Sequence, residues 1–371
     1  MNGTTTELCV QLCRTLEHSV GQTVDLTRIF GLFTADVFTR IAFGVELRGL
    51  ESDSTHPFYA AFEQCSAAAV RRFRVPPWLW RLQRWCRIGA ERELADSIAF
   101  IDNTVEQIVA ECLDRSKTSS RGTSLVALFL QKEPNASPKD VRDLALSFIA
   151  AGRDSTALTM AWFILQMNRH PHILCKVQAE LDAKLIDGRP IPTVDDVQSL
   201  VYLEAALRET LRLCPTVPLT PRVALVDSTL PDCTEICAGT RVLLAIYALC
   251  RSPHVWGTDA ETFRPERWLV PSDPSRLIPV SAFRYPVFLA GPRRCLGERF
   301  AMLEMKIVLA TLLARFELVT TRDPHEFTYR STITLSILGP LSVVASRRSR
   351  RNQRAAADGA SEPNDAKQKY T

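Results

Sequence analysis

A long helix in the middle of the chain dominates the predicted fold. Ser137, Pro138 and Asp140 match a helix start, with a capping serine, a proline in the first turn and an acid at the third helical position. The next proline is Pro171, so the spacing predicts a helix of about nine turns that ends near His170.

The sequence on either side of this helix predicts a mainly α chain with a small β portion. Apolar residues at helical spacing mark further helices, and after Pro215 the pattern changes to short β-like runs and turns. A connector rich in proline and tryptophan is expected at 75–89, and an irregular, functional segment at 252–294. The predicted helices are 24–43, 92–114, 172–185, 200–213 and 300–316, and the predicted strands are 220–226, 240–246 and parts of 327–344.

Composition excludes several classes of protein. The 371 residues are 46% hydrophobic and 23% charged, which excludes disordered, collagen-like and low-complexity chains. The longest unbroken apolar run, 242–250, is too short to cross a bilayer, and no secretory signal opens the chain. We therefore expect a cytoplasmic protein or one that associates peripherally with a membrane.

The formal net charge of +4 is located in the C-terminal tail. Residues 346–371 carry seven basic and three acidic residues, which leaves 38 residues of each sign in the rest of the chain. A neutral body argues against nucleic acid as a partner. We expect residues 1–345 to form one domain and residues 346–371 to form a disordered basic tail.

One of the eleven cysteines has surroundings suited to chemistry. Cys295 lies just before a predicted helix and next to two arginines, where positive charge and the helix dipole favour a thiolate. Glycines on both sides let the backbone pass close to a flat ligand and direct N–H groups at the sulfur. The pattern is completed by Phe288, which can shield the sulfur, and by Gly291, Arg293 and Gly297.

This segment resembles the haem-binding loop of the cytochrome P450 family of haem-thiolate monooxygenases. Three further segments follow the family's order: AGRDST at 151–156, ETLR at 209–212 and FRPERW at 263–268. The resemblance covers residues 137–345 and implies a cytochrome P450-like fold. Only 136 residues precede the central helix, fewer than in the family, so we expect the fold to lack its N-terminal elements.

The resemblance assigns roles to individual residues. It implies that haem b is the cofactor, that Cys295 is the proximal iron ligand, and that Arg293 and Arg222 bind the haem propionates. Phe288, Gly291 and Gly297 would complete the haem-binding loop. Glu209, Arg212 and Arg267 would form a structural network of three charges, since each charge is costly to bury alone.

The central helix would supply the groups that move protons. Asp154 and Ser155 bring a carboxylate and a hydroxyl to mid-helix, and Thr156 follows directly. Hydroxyl groups that bond back to the preceding turn tend to bend or open a helix, and a widened turn can hold dioxygen and water. The resemblance implies that these three residues serve catalysis.

The implied function is haem-dependent monooxygenation of a lipophilic substrate with O2. Electrons would come from NADPH through NADPH–cytochrome P450 reductase, a partner that in the family's eukaryotic members works at the endoplasmic reticulum membrane. The sequence is similar to the eukaryotic fatty-acid ω-hydroxylase branch, so a long-chain fatty acid or an alkane is the expected substrate. The alternatives are another lipophilic substrate, or a truncated remnant, haem-binding or haem-free, without turnover.

Overall fold

The computed structural model describes residues 2–46, 48–51, 57–72, 74–118, 124–133, 135–185 and 191–349. The fold is mainly α with small sheets, as predicted. The helices are α1 (Asn2–His18), α2 (Leu26–Phe43), α3 (Pro57–Arg72), α4 (Pro77–Cys86), α5 (Gly89–Thr118), α6 (Leu125–Lys132), α7 (Pro138–Arg169), α8 (Pro171–Lys184), α9 (Val194–Ser199), α10 (Val201–Leu213), α11 (Ile246–Leu249), α12 (Pro253–Trp256) and α13 (Glu298–Arg315).

The strands are short and lie mostly in the C-terminal half. They are β1 (Thr23–Asp25), β2 (Thr220–Val223), β3 (Ser228–Thr229), β4 (Glu235–Ile236), β5 (Arg241–Leu244), β6 (Leu269–Val270), β7 (Asp273–Leu277), β8 (Phe316–Thr320), β9 (Tyr329–Ser331), β10 (Leu335–Ile337) and β11 (Ser342–Arg347). Strands β1, β11 and β8 form an antiparallel sheet in that order, with Val24 opposite Val343. This sheet joins the N-terminal part of the chain to its C-terminal part.

Helix α7 is the long central helix, and its start agrees with the capping pattern in the sequence. The Ser137 hydroxyl accepts from the Asp140 N–H, and the Asp140 carboxylate accepts from the Ser137 N–H. From Thr156 to Met167 every residue of α7 is buried. Helix α2 packs along α7 and is itself buried over most of its length, so the two helices form the centre of the core.

The boundary of the predicted basic tail is wrong by at least three residues. Ser346 and Arg347 extend β11, paired with Glu317 and Phe316 of β8. The Arg348 guanidinium is buried and bonds both carboxylate oxygens of Asp182, at 2.9 and 2.6 Å. The ordered domain therefore continues past residue 345, because this strand and this ion pair hold the chain. Residues 350–371 of the predicted tail lie outside the described residues.

Among the described residues, no helix combines the length and apolar character that crossing a bilayer requires. Location in the cell stays a prediction.

Gly152 lets α2 and α7 approach closely. A Cβ atom at position 152 would clash with three ring atoms of Phe38 on α2. That ring is held by Phe148 and Phe300, with centroids at 5.2 and 5.8 Å. The space beside the α7 backbone at Gly152 is therefore occupied by a packed aromatic ring.

Replacing Gly152 by Ala should destabilise the protein by about 1–3 kcal/mol, because the packed Phe38 ring has to shift. Gly31→Ala on α2 is the matched control, since a Cβ there meets no atom within 4 Å. This control should be stabilising by about 0.5–1 kcal/mol through helix propensity. Urea unfolding of the two variants measures both changes in the free energy of unfolding. Equal changes would contradict the packing argument.

Candidate active site

The loop before α13 presents Cys295 at the surface of the described fold. It contains two short 3-10 turns, at Pro286–Phe288 and Gly291–Arg293, and then passes into the first residue of α13. The Cys295 N–H donates to the Phe288 carbonyl oxygen at 2.7 Å, which closes the loop. The Cys295 side chain is exposed and its thiol is free.

Two residues of the loop have left-handed backbone conformations. Gly291 has φ +67°, a conformation that favours glycine, and Leu289 has φ +60°, which is strained for a leucine. Strain of this kind at Leu289 was not visible in the sequence. By contrast, a Cβ at Gly297 would meet the Cys295 sulfur at 3.9 Å, an ordinary contact, so space at the sulfur does not itself require glycine there.

The two arginines assigned to the propionates line the same cavity. Arg293 is the last residue of the second 3-10 turn of the loop, and Arg222 lies on β2, which pairs with β5. The cavity has a volume of about 820 Å³ and lies between this strand pair and the Cys295 loop. Most of its lining is apolar: Leu243, Leu244, Ala245, Ile246, Ala248, Leu249, Phe283, Pro286, Leu289, Ala290 and Pro292.

The three charges of the predicted network meet on α10. Glu209 accepts from Arg212 at 2.8 Å to each oxygen and from Arg267 Nε at 2.9 Å. The network also includes Trp268, whose indole N–H donates to Glu209 at 2.9 Å, and Asp259, which binds Arg267. The sequence signal for Trp268 was its place in the FRPERW segment, where the family usually has phenylalanine.

Asp154 and Ser155 lie half-buried on α7, and Thr156 is fully buried. The Ser155 hydroxyl donates to the Ala151 carbonyl oxygen at 2.7 Å, as expected for a hydroxyl in mid-helix. Even so, α7 continues through the motif without interruption, so the predicted opening of this turn is absent. Within the described part of the chain, the Thr156 hydroxyl has no hydrogen-bond partner, and its burial separates it from the half-buried pair.

Burial raises the pKa of the Asp154 carboxyl above its ordinary value. Arg153 opposes this effect and Glu63 of α3 reinforces it. Arg153 is itself buried and forms an ion pair with Glu63 at 3.0 Å. Neither Arg153 nor Glu63 was singled out from the sequence, because their contact joins positions 90 residues apart.

The Cys295 loop, the ion-pair network and the central-helix motif agree with the results of sequence comparison. A sequence profile of the family Cytochrome P450 matches residues 1–341. This chain belongs to the cytochrome P450 family. The family prediction and the predicted fold class are therefore confirmed.

Relatives of this P450 include plant enzymes and cover most of its length. It is 35% identical to Cytochrome P450 CYP94D108 of Paris polyphylla, over 87% of this chain and 65% of the relative. It is 32% identical to Cytochrome P450 86B1 and 29% identical to Alkane hydroxylase MAH1, both of Arabidopsis thaliana, over 88% and 79% of this chain. The chain spans 61% and 60% of the length of those two relatives.

The fold is also similar to that of a solved haem domain. The crystal structure of a cytochrome P450DA mutant heme domain superposes with a TM-score of 0.82 at 26% identity, over 94% of this P450 and 74% of that chain.

The residues of this P450 fit the haem that its family implies. The two carboxylates of haem suit the two guanidinium groups, Arg222 and Arg293, in the largely apolar lining of the cavity. Neither Cys295 nor a residue of α7 is among the lining residues, so this match concerns the carboxylates alone. An exposed cysteine just before a helix N-terminus suits a thiolate ligand. Cys295 and Arg293 lie on the loop before α13, and Arg222 lies on the β2–β5 strand pair beside it.

Proposed function

We propose that this chain is the haem domain of a monooxygenase that hydroxylates a lipophilic substrate, a long-chain fatty acid or an alkane. The observation that carries the proposal is the cavity that unites Arg222 with Arg293 beside the Cys295 loop. The alkane substrate has support from a relative whose name is Alkane hydroxylase MAH1. The fatty-acid substrate has support from the resemblance of the sequence to the ω-hydroxylase branch.

Some residues of this chain would hold the cofactor, and others would move protons. Cys295 would ligate the haem iron through its thiolate, and Arg222 and Arg293 would bind the propionates. When bound, haem supplies the activation of dioxygen and the hydroxylation chemistry. The pKa of Asp154 is raised by burial, so its carboxyl can both take up and release protons closer to neutral pH. The Ser155 hydroxyl donates a hydrogen bond to the Ala151 carbonyl oxygen, so the lone pairs of its own oxygen are free to accept hydrogen bonds from water.

Electrons need a separate donor, and we propose NADPH–cytochrome P450 reductase. The sequence contains no flavin or nicotinamide fingerprint. Two exposed arginines next to Cys295, Arg294 and Arg299, support contact with an acidic partner surface, although Arg294 is partly neutralised by Glu298 at 2.7 Å.

The test is the absorption spectrum of the purified chain, reduced and treated with carbon monoxide. We expect a Soret band typical of thiolate ligation in the wild-type protein and in Cys175→Ala, whose cysteine is exposed on α8. Cys295→Ala should lose the band completely, because it removes the ligand. A soluble, folded wild-type chain without a haem band would overturn the proposal and leave the haem-free remnant.

Substrate class is tested by turnover of fatty acids and alkanes of graded length in the presence of reductase. The proposal expects hydroxylated product that depends on NADPH and disappears in Cys295→Ala. A normal haem band without product from either class would favour the haem-binding remnant or a different lipophilic substrate.

A further inference from the structure

Helices α3 and α7 are joined by an ion pair directly beside the Asp154 carboxylate. Arg153 projects from α7 toward α3, and its Nη2 donates to Glu63 Oε1 at 3.0 Å. The Arg153 side chain is 9% exposed, whereas that of Glu63 is 64% exposed. The Tyr59 ring, also on α3, lies 5.4 Å from the Arg153 guanidinium carbon. The guanidinium is therefore held from one side by α3.

The other side of the same guanidinium faces Asp154. Arg153 Nε lies 3.6 Å from Asp154 Oδ1, which is too long for a hydrogen bond. Among the described residues, this buried Nε has no hydrogen-bond partner at all. A buried donor without a partner is costly, and a shift of well under 1 Å would bring it within hydrogen-bond distance of Asp154.

We infer that Glu63 is a positioning residue for Asp154: by holding Arg153, it keeps the guanidinium from bonding to Asp154 and so keeps that carboxylate able to carry protons. The inference rests on the proposed function, in which Asp154 takes part in proton delivery. Glu63 acts through Arg153 and is itself on the solvent side of the pair.

Glu63 acts on the Asp154 carboxylate in two electrostatic ways, and both disfavour its ionised form. A charge-assisted hydrogen bond from an arginine stabilises the ionised carboxylate and weakens its hold on a proton. The negative charge of Glu63 does the opposite, because it lies near Asp154 and disfavours a second negative charge. Loss of Glu63 would therefore remove its repulsion and release Arg153 toward Asp154. Both changes favour the ionised form of Asp154.

Few other charges act on Asp154. Arg153 and Glu63 are the two charged groups that act on this carboxylate in the described structure. Further along α3, the Tyr59 hydroxyl donates to Asp36 of α2 at 3.1 Å, and Asp36 also accepts two backbone N–H groups. Among the described residues, Glu63 is the α3 carboxylate that forms an ion pair with Arg153.

The experiment follows the infrared C–O stretching band of the reduced, carbon monoxide-bound protein from pH 5 to 9. This band responds to charge near the bound ligand, so its pH midpoint reports on Asp154 without any turnover. Glu63→Gln should move the midpoint down by about one pH unit, and Arg153→Met should move it up. Glu63→Asp should restore most of the wild-type value. Glu93→Gln, an exposed carboxylate on α5, is the matched control and should change nothing.

Asp154→Asn separates this inference from the proposed function. If Asp154→Asn abolishes the midpoint while Glu63→Gln leaves it at the wild-type pH, the inference is wrong and the proposed function stands. If Asp154→Asn does not change the midpoint, both the inference and the proton-delivery role of Asp154 are overturned. Under the inference, Glu63→Gln also lowers kcat several-fold at neutral pH, with KM unchanged and Glu63→Asp again close to wild type.

Discussion

Glu209→Ala should lower the free energy of unfolding by about 3–5 kcal/mol, since it leaves a fully buried charge without its partner. Glu209 and Arg212 are both 0% exposed, and their two bonds are 2.8 Å long. Glu209 accepts three more hydrogen bonds, from Arg267, the Arg264 backbone N–H and the Trp268 indole. One carboxylate thus satisfies five donors, four of them from buried or nearly buried side chains.

The control for this variant is an ion pair of similar type at the surface. Asp96→Ala removes a pair with Arg92 whose side chains are 75% and 71% exposed and whose closest atoms are 3.9 Å apart. It should change the stability by less than about 1 kcal/mol. Urea unfolding of wild type and both variants measures the difference. A Glu209→Ala effect as small as that of Asp96→Ala would show that Arg212 finds other compensation, for example from the carbonyl oxygens of Cys250 and Ala260 that it already contacts.

Helices with local signals were predictable from the sequence, and elements defined by distant partners were not. Helix α7 begins and ends where its capping box and Pro171 indicate. The predicted helix 24–43 included Val24 and Asp25 of strand β1, because Thr23–Asp25 become a strand only through pairing with β11. Helix α4 was taken for a connector: Pro77 occupies its first turn, and its apolar side chains Trp78, Leu82 and Trp85 are exposed and do not pack into the core.

The same distinction between local signals and distant partners applies to the candidate site. The Cys295 loop and the partners Glu209, Arg212 and Arg267 follow from short sequence motifs, and the structure brings the three charges together. Their surroundings depend on contacts far apart in sequence. Arg222 and Arg293 share a cavity only because the β2–β5 pair folds against the loop.

Helix α13 carries a buried acid that no sequence pattern predicted. Glu304 is 1% exposed, and neither carboxylate oxygen has a hydrogen-bond partner within the described ranges. Burial raises the pKa of this carboxyl to about 8 from an ordinary value of 4.5. The group is therefore mostly protonated in the folded protein at neutral pH, while it is ionised in the unfolded chain.

This difference makes the stability of the fold depend on pH. Below pH 4.5 both states are protonated and Glu304 has no effect. As the pH rises from 4.5 to 8, the unfolded state loses its proton first, so the folded state is progressively destabilised. The slope is about 1.4 kcal/mol per pH unit, which gives a loss of roughly 3–4 kcal/mol between pH 5 and pH 8.

Glu304→Gln should remove this dependence, because glutamine has nearly the same shape and does not titrate. The stability of the variant relative to wild type should rise by about 3–4 kcal/mol from pH 5 to pH 8, as measured by urea unfolding at each pH. Subtraction of the wild-type value cancels the titration of all other groups. Glu317→Gln, which replaces an exposed acid on β8, should show a difference that stays flat with pH. A flat difference for Glu304→Gln as well would mean that the buried carboxyl is ionised in the folded protein and has gained a partner, such as an internal water.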